Sequence, residues 1–119
     1  MRIRPVALFA FTAASLLAQA PSPVADARAL WKDASDYVVQ SAVDFPEAKY
    51  GFNPTPEVRS FGELIANVAG AQHMFCAIAL GEKPPAEDAV EKSARTKAAL
   101  IAAMRESNMY CARAYAQAK

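Results

Sequence analysis

From Asp26 onward, Leu30, Trp31, Ala34, Tyr37, Val38 and Ala42 recur at spacings of three and four with charged residues between them, which predicts an amphipathic helix closed by Pro46. The segment from Pro46 to Arg59 is rich in proline, glycine and asparagine and reads as an ordered loop pinned by Tyr50 and Phe52. Ser60, followed three residues later by Glu63, has the capping-box spacing that opens a second helix. On that helix Phe61, Leu64, Ile65, Val68, Gln72, Phe75 and Ala79 share one face, and Gly81 is placed to end it. A charged connector, Glu82 to Arg95, leads to Thr96, which caps a third helix carrying Leu100, Ile101, Met104, Cys111, Ala114 and Tyr115. The pattern is all-α, with three long helices and no internal repeat.

Ahead of the first helix the pattern changes. Arg2 and Arg4 precede an uncharged apolar run, Val6 to Ala18, followed by small residues, which is the order of a secretory signal. The run is shorter than the roughly 20 residues a permanent membrane helix needs. The expected product is therefore an exported, periplasmic or secreted protein with no stable membrane span after processing, and an uncleaved anchor is the alternative. The small residues Ala18 and Ala20 suit a cut after Ala20, although Pro21 follows. A cut after Ala27 is the fallback. Residues 1–20 are thus read as a signal peptide and residues 21–119 as one helical domain.

Composition fits a small helical domain: 54% of residues are hydrophobic, and the 8 prolines fall mostly in connecting stretches. Without the first 20 residues the net charge changes from +1 to −1, so no basic surface for nucleic acid is expected.

The connector from Glu82 to Arg95 is longer than the roughly 2 to 8 residues usual between antiparallel helices, which suggests a crossover. The cysteines point the same way. Cys76 lies 16 residues past Ser60 and Cys111 lies 15 past Thr96, so each sits about 23 to 24 Å along its helix. In a parallel pair the thiols are level, and after export they would meet an oxidising compartment as a disulfide candidate. Two independent buried thiols are the alternative.

The stretches "WKDASDYVVQSAVDFPEAKYGFNPTPEVRSFGELIANVAGAQHMFC" and "EKSARTKAALIAAMRESNMYC" resemble the DinB-like (YfiT-type) superfamily, in particular a branch with exported members. The likeness runs from about Trp31 to Tyr115 and is strongest in "YGFNPTPEVRSFGELI". It implies an up-down-down-up four-helix bundle with parallel second and third helices, of which three helices are present here. It also implies relation to metal-dependent thiol S-transferases, in which a divalent metal such as zinc or nickel is held by one histidine of the second helix and an HxxxH pair of the fourth. Asn67 stands at the second-helix histidine position, and no HxxxH helix lies within the 119 residues.

His73, the one histidine, is six residues past Asn67. That is a net rotation of about 240° and a rise of about 9 Å, so it cannot reach the same point. His73 with Cys76 offers two ligands where zinc takes three or four. The expectation is a chain that is catalytically incompetent as given, with no catalytic or metal residues, no predicted cofactor, and Asn67 hydrogen-bonded at the bundle flank. Arg59 and Lys97 are read as solvated bases or, less simply, an anion site, and Tyr37, Tyr110 and Tyr115 as core aromatics. The alternative function is a non-catalytic bundle acting through self-association or partner binding. Leu64, Val68, Phe75, Leu100, Ile101 and Met104 would then flank an apolar groove that a fourth helix, or a second copy in a homo-oligomer, would cover.

Overall fold

The computed structural model describes residues 22–118, which are helical without a strand among them. The signal-peptide reading and its cut after Ala20 lie outside the described residues. Three long helices, α1 (Pro23–Asp44), α2 (Phe61–Ala79) and α4 (Lys97–Gln117), form a bundle, with a short helix α3 (Ala89–Ser93) inside the connector. No helix among the described residues is long and apolar enough to cross a membrane.

Helix α1 begins three residues before the expected Asp26, because Pro23 supplies a preset φ at a position whose amide needs no partner. Its C-terminus is held from a distance. The Ala42 carbonyl would accept from the amide of residue 46, but proline has no N–H, and the Tyr50 hydroxyl donates to Ala42 O instead. Lys97 Nζ donates to Val43 O at 2.6 Å and to Phe45 O at 2.7 Å, placing a cation on the negative end of α1.

The capping box of α2 is complete: Ser60 Oγ accepts from Glu63 N, and the Glu63 carboxylate accepts from Ser60 N at 2.7 Å. Gly81, at φ 71°, ends the helix, with Gly81 N donating to Ile78 O and Glu82 N donating to Ala77 O. Thr96 Oγ1 caps α4 by accepting from Ala99 N at 3.1 Å.

Helices α2 and α4 run parallel. Gly62 at the start of α2 lies against Leu100 near the start of α4, Gln72 pairs with Ser107 and Asn108 midway, and Cys76 joins Cys111 near both ends. Helix α1 is antiparallel to α4: Trp31 stacks on Tyr115 with ring centroids 4.9 Å apart, while Lys97 reaches Val43 at the opposite end. The expected crossover between α2 and α4 is therefore present, and its backbone packs on Gly70.

The core gathers Ala42, Tyr50, Ile65, Ala66, Ala69, Leu100 and Met104. Met104 is fully buried, a placement that contributes about 1.5 to 3 kcal/mol by removing its side chain from water. Three expectations about faces are corrected here. On α1, Leu30, Ala34 and Tyr37 point to solvent, and Trp31, Ser35, Val38, Val39 and Ala42 turn inward. On α2 the buried face is made of small residues, Gly62, Ala66, Ala69, Gly70 and Ala77, with Ile65, because close approach of α4 and the crossover leaves no room for larger ones. Leu100 and Met104 belong to the closed core and not to a groove. In the α1–α2 loop, Tyr50 is buried as expected, but Phe52 is exposed and holds the loop through its backbone, its amide donating to Lys49 O and its carbonyl accepting from Phe61 N.

Candidate functional site

Asn67 projects from the middle of α2 toward the crossover, where its Nδ2 donates to Glu87 Oε1 at 3.3 Å. The expected flank hydrogen bond is there. The amide serves to dock the crossover, beside Gly70, rather than to face an open cavity.

His73 lies on the side of α2 that faces α4, half-buried, with its ring centroid 4.1 Å from that of Tyr110. Tyr110 in turn donates its hydroxyl to Glu82, and this bond raises the phenol's pKa above its ordinary value. Arg113 covers the Tyr110 ring, 4.6 Å from its centroid, and bonds Glu82 at 3.1 Å. The cluster ties the end of α2 to α4 with each charge paired.

Cys76 and Cys111 form a disulfide with Cα atoms 5.3 Å apart. Metal ligation needs a free thiolate, so the pair His73 and Cys76 is not available as a ligand set. No group of three or more His, Cys, Asp or Glu is placed to hold a metal among the described residues. The divalent metal implied by the family resemblance does not fit these residues: the amide at the histidine position is engaged by Glu87, the imidazole faces α4, and the thiols are oxidised.

Sequence patterning missed the polar hub of the bundle. Gln72, counted above as part of an apolar face, accepts from Trp31 Nε1 at 3.0 Å and from Ser35 Oγ at 3.3 Å. Its Nε2 donates to Ser107 Oγ at 3.1 Å and to Asn108 Oδ1 at 2.6 Å. One side chain thus joins α1, α2 and α4, and no buried side-chain polar atom among the described residues lacks a partner. A fully satisfied network of this kind fixes helix register; it leaves no group free for chemistry. The lone glutamine among apolar neighbours at helical spacing was the available signal.

Two bases considered above as an anion site are also occupied. Arg59 Nε bonds Glu91 at 3.2 Å, and Lys97 caps α1. A cavity of about 230 Å³ beside them is lined by Tyr50, Ser60, Glu63, Glu91, Arg95 and Leu100 among others, and holds acidic and basic groups together. Of the three tyrosines expected in the core, Tyr110 and Tyr115 are half-buried on aromatic neighbours, but Tyr37 is exposed.

What remains open is apolar. Leu64, Val68, Phe75 and Ile78 of α2 keep 49, 37, 62 and 56% of their surface in solvent. Near the α2 N-terminus a shallow cleft of about 490 Å³ lies between Tyr37 of α1 and Phe61 of α2. Of the residues expected to flank a groove, Leu64, Val68 and Phe75 are exposed on α2, as is Ile78, whereas Ile101 packs against the core.

No protein-family model, no curated protein and no solved structure matches the chain.

Proposed function

We propose that the chain is an exported bundle of the DinB-like type, with α1, α2 and α4 as the first three members of an up-down-down-up arrangement, that binds through its open α2 face and carries out no metal-dependent thiol transfer. One observation carries this reading: α2 turns four large apolar side chains outward, while the residues of ligand type, Asn67, His73, Cys76 and Cys111, are all engaged within the fold. Monomeric proteins rarely leave such a contiguous face uncovered. Export is supported by the charged and apolar order of residues 1–20 and by the Cys76–Cys111 disulfide, a bond that persists in oxidising compartments. A cut after Ala20 falls ahead of α1, whereas a cut after Ala27 removes its first five residues, Pro23 to Ala27.

The test uses chelator-dialysed protein. Calorimetric titration with zinc and with nickel is expected to find no site tighter than micromolar, and an environment-sensitive apolar dye is expected to report an accessible or self-covered face whose signal changes on Phe75→Glu. A stoichiometric, tightly held metal together with transfer to a small thiol refutes the proposal.

A further inference from the structure

The cavity of about 230 Å³ beside the start of α2 has an apolar floor and a charged rim. Its floor is made by Tyr50, Ala66 and Leu100, all buried. The α1–α2 loop, the first turns of α2, the end of the crossover and the start of α4 meet around it. Two of these junctions are fastened: Gly62 N donates to Tyr50 O at 2.8 Å, and Arg59 Nε donates to Glu91 at 3.2 Å. The walls therefore hold without an occupant.

The rim carries both signs of charge, from Glu63, Glu91 and Arg95. One Glu63 oxygen accepts from Ser60 N and one Glu91 oxygen accepts from Arg59, which leaves each carboxylate a second oxygen. Arg95 makes no hydrogen bond or ion pair among the described residues. It lies near enough to Glu63 to add, with Arg59, to the lowering of that carboxyl's pKa that Ser60 chiefly causes. The cavity thus has unused donors and unused acceptors across a small space.

Charge narrows the occupant. A simple anion would sit beside two carboxylates, and a simple cation beside the guanidinium groups of Arg95 and Arg59. A metal ion finds no group of three acidic, histidine or cysteine side chains here. A molecule with one charge of each sign meets both, its carboxylate on the planar fork of Arg95 and its ammonium on the free carboxylate oxygens.

Size and lining narrow it further. Drug-sized ligands fill roughly 300 to 1,000 Å³. The smaller volume here suits a single amino acid. Ala66, Ala94 and Leu100 offer a ligand side chain no polar atom, and the Tyr50 hydroxyl is already given to Ala42 O.

We propose that this cavity binds a free α-amino acid with an aliphatic side chain, its carboxylate held by Arg95 and its ammonium by Glu91 and Glu63. None of the four exposed α2 residues Leu64, Val68, Phe75 and Ile78 lines it, so this site and the open α2 face stand or fall separately.

The test is an NMR titration of the disulfide-bonded protein with leucine into the millimolar range, read at the amides of Gly51, Ala66 and Ala94. Saturable shifts are expected. Isocaproate, which lacks the amine, and isoamylamine, which lacks the carboxylate, should each bind at least about 10-fold more weakly, as should glutamate. Arg95→Gln, at an exposed side chain, should weaken leucine by at least about 10-fold and leave isoamylamine unchanged. Glu91→Gln should weaken leucine and isoamylamine but not isocaproate, with helical circular dichroism retained. Phe75→Glu should leave leucine binding as it is. No saturable shift, full leucine affinity in Arg95→Gln, or either single-charge analogue binding as tightly as leucine would overturn the proposal, and glutamate binding equally would overturn the aliphatic assignment. Each of these failures leaves the reading of the α2 face untouched.

Discussion

A Cβ built on Gly70 would lie 2.0 Å from the carbonyl oxygen of Glu87, so the crossover backbone rests on α2 at a position where any side chain must displace it. Alanine in a helix interior normally gains about 1 kcal/mol over glycine. Here overpacking against a backbone atom opposes that gain at a cost of about 1 to 3 kcal/mol. Gly70→Ala is expected to lower stability by about 1 kcal/mol or more despite its better helix propensity. Gly51→Ala, where a Cβ meets nothing within 4 Å, should be neutral within about 0.5 kcal/mol. Urea unfolding of both variants checks this, and a more stable Gly70→Ala would mean that the crossover does not bear on α2.

The C-terminus of α1 depends on residues that follow it. Pro46 cannot donate to Ala42 O, and the Tyr50 hydroxyl does so from a buried position. Tyr50→Phe keeps the ring packed on Phe45 and Phe61 but strands that carbonyl, at an expected cost of about 1 to 3 kcal/mol. Lys97→Met removes the donor to Val43 O and Phe45 O and is expected to loosen the same helix end. Amide exchange in the last turn of α1 should quicken in both variants and stay slow in α2.

Glu63 gives the fold an acid dependence. Its carboxylate accepts from the Ser60 backbone amide, and this bond, followed by that with the Ser60 side chain, holds its pKa below the ordinary 4.5. A depressed carboxylate contributes stability that is complete above the unfolded value and is lost as pH falls through the folded one. Glu63→Gln should therefore narrow the gap in stability between neutral pH and pH below 4.5, relative to the parent. An unchanged gap would remove Glu63 from the account.

Helix ends were legible in the sequence and helix faces were not. Ser60 with Glu63, Thr96 and Gly81 act within a few residues of themselves, so their spacing states the geometry. Faces depend on what packs where. Leu64, Val68 and Phe75 pull any hydrophobic average toward their own side, yet the fold buries the small side, Ala66, Ala69 and Gly70, because parallel helices and a crossover need close approach there. The five residues of α3 are too few to show a period. Of the candidate site, the disposition of Asn67 and the separation of His73 from it followed from helix geometry, whereas Gln72 as a three-helix hub and the engagement of Lys97 by α1 arise from contacts across 35 residues or more.

The disulfide closes the part of the chain that folding has most difficulty closing. Helices α2 and α4 are parallel, so no short turn can join them, and the chain must run back along the bundle between Gly81 and Thr96 before their contacts form. Cys76 and Cys111 are 35 residues apart, and cross-linking a loop of that size removes unfolded-state entropy worth roughly 3 to 4 kcal/mol. Cys111 is fully buried and Cys76 only half so, which makes Cys76 the sulfur at which exchange with a reductant begins. Protein folded under oxidising conditions is expected to show no titratable thiol in denaturant. Reduction, or the Cys76→Ala/Cys111→Ala pair, should lower stability by about 3 to 4 kcal/mol, with the midpoint shifting more than the denaturant slope. The loss should appear first at the far ends of α2 and α4, where the Trp31–Tyr115 stack and the Gln72 hub must then hold the helices level without the covalent link. Two thiols titrating in the oxidatively folded protein, or equal stability of the reduced form, would contradict the level pairing of the two helices.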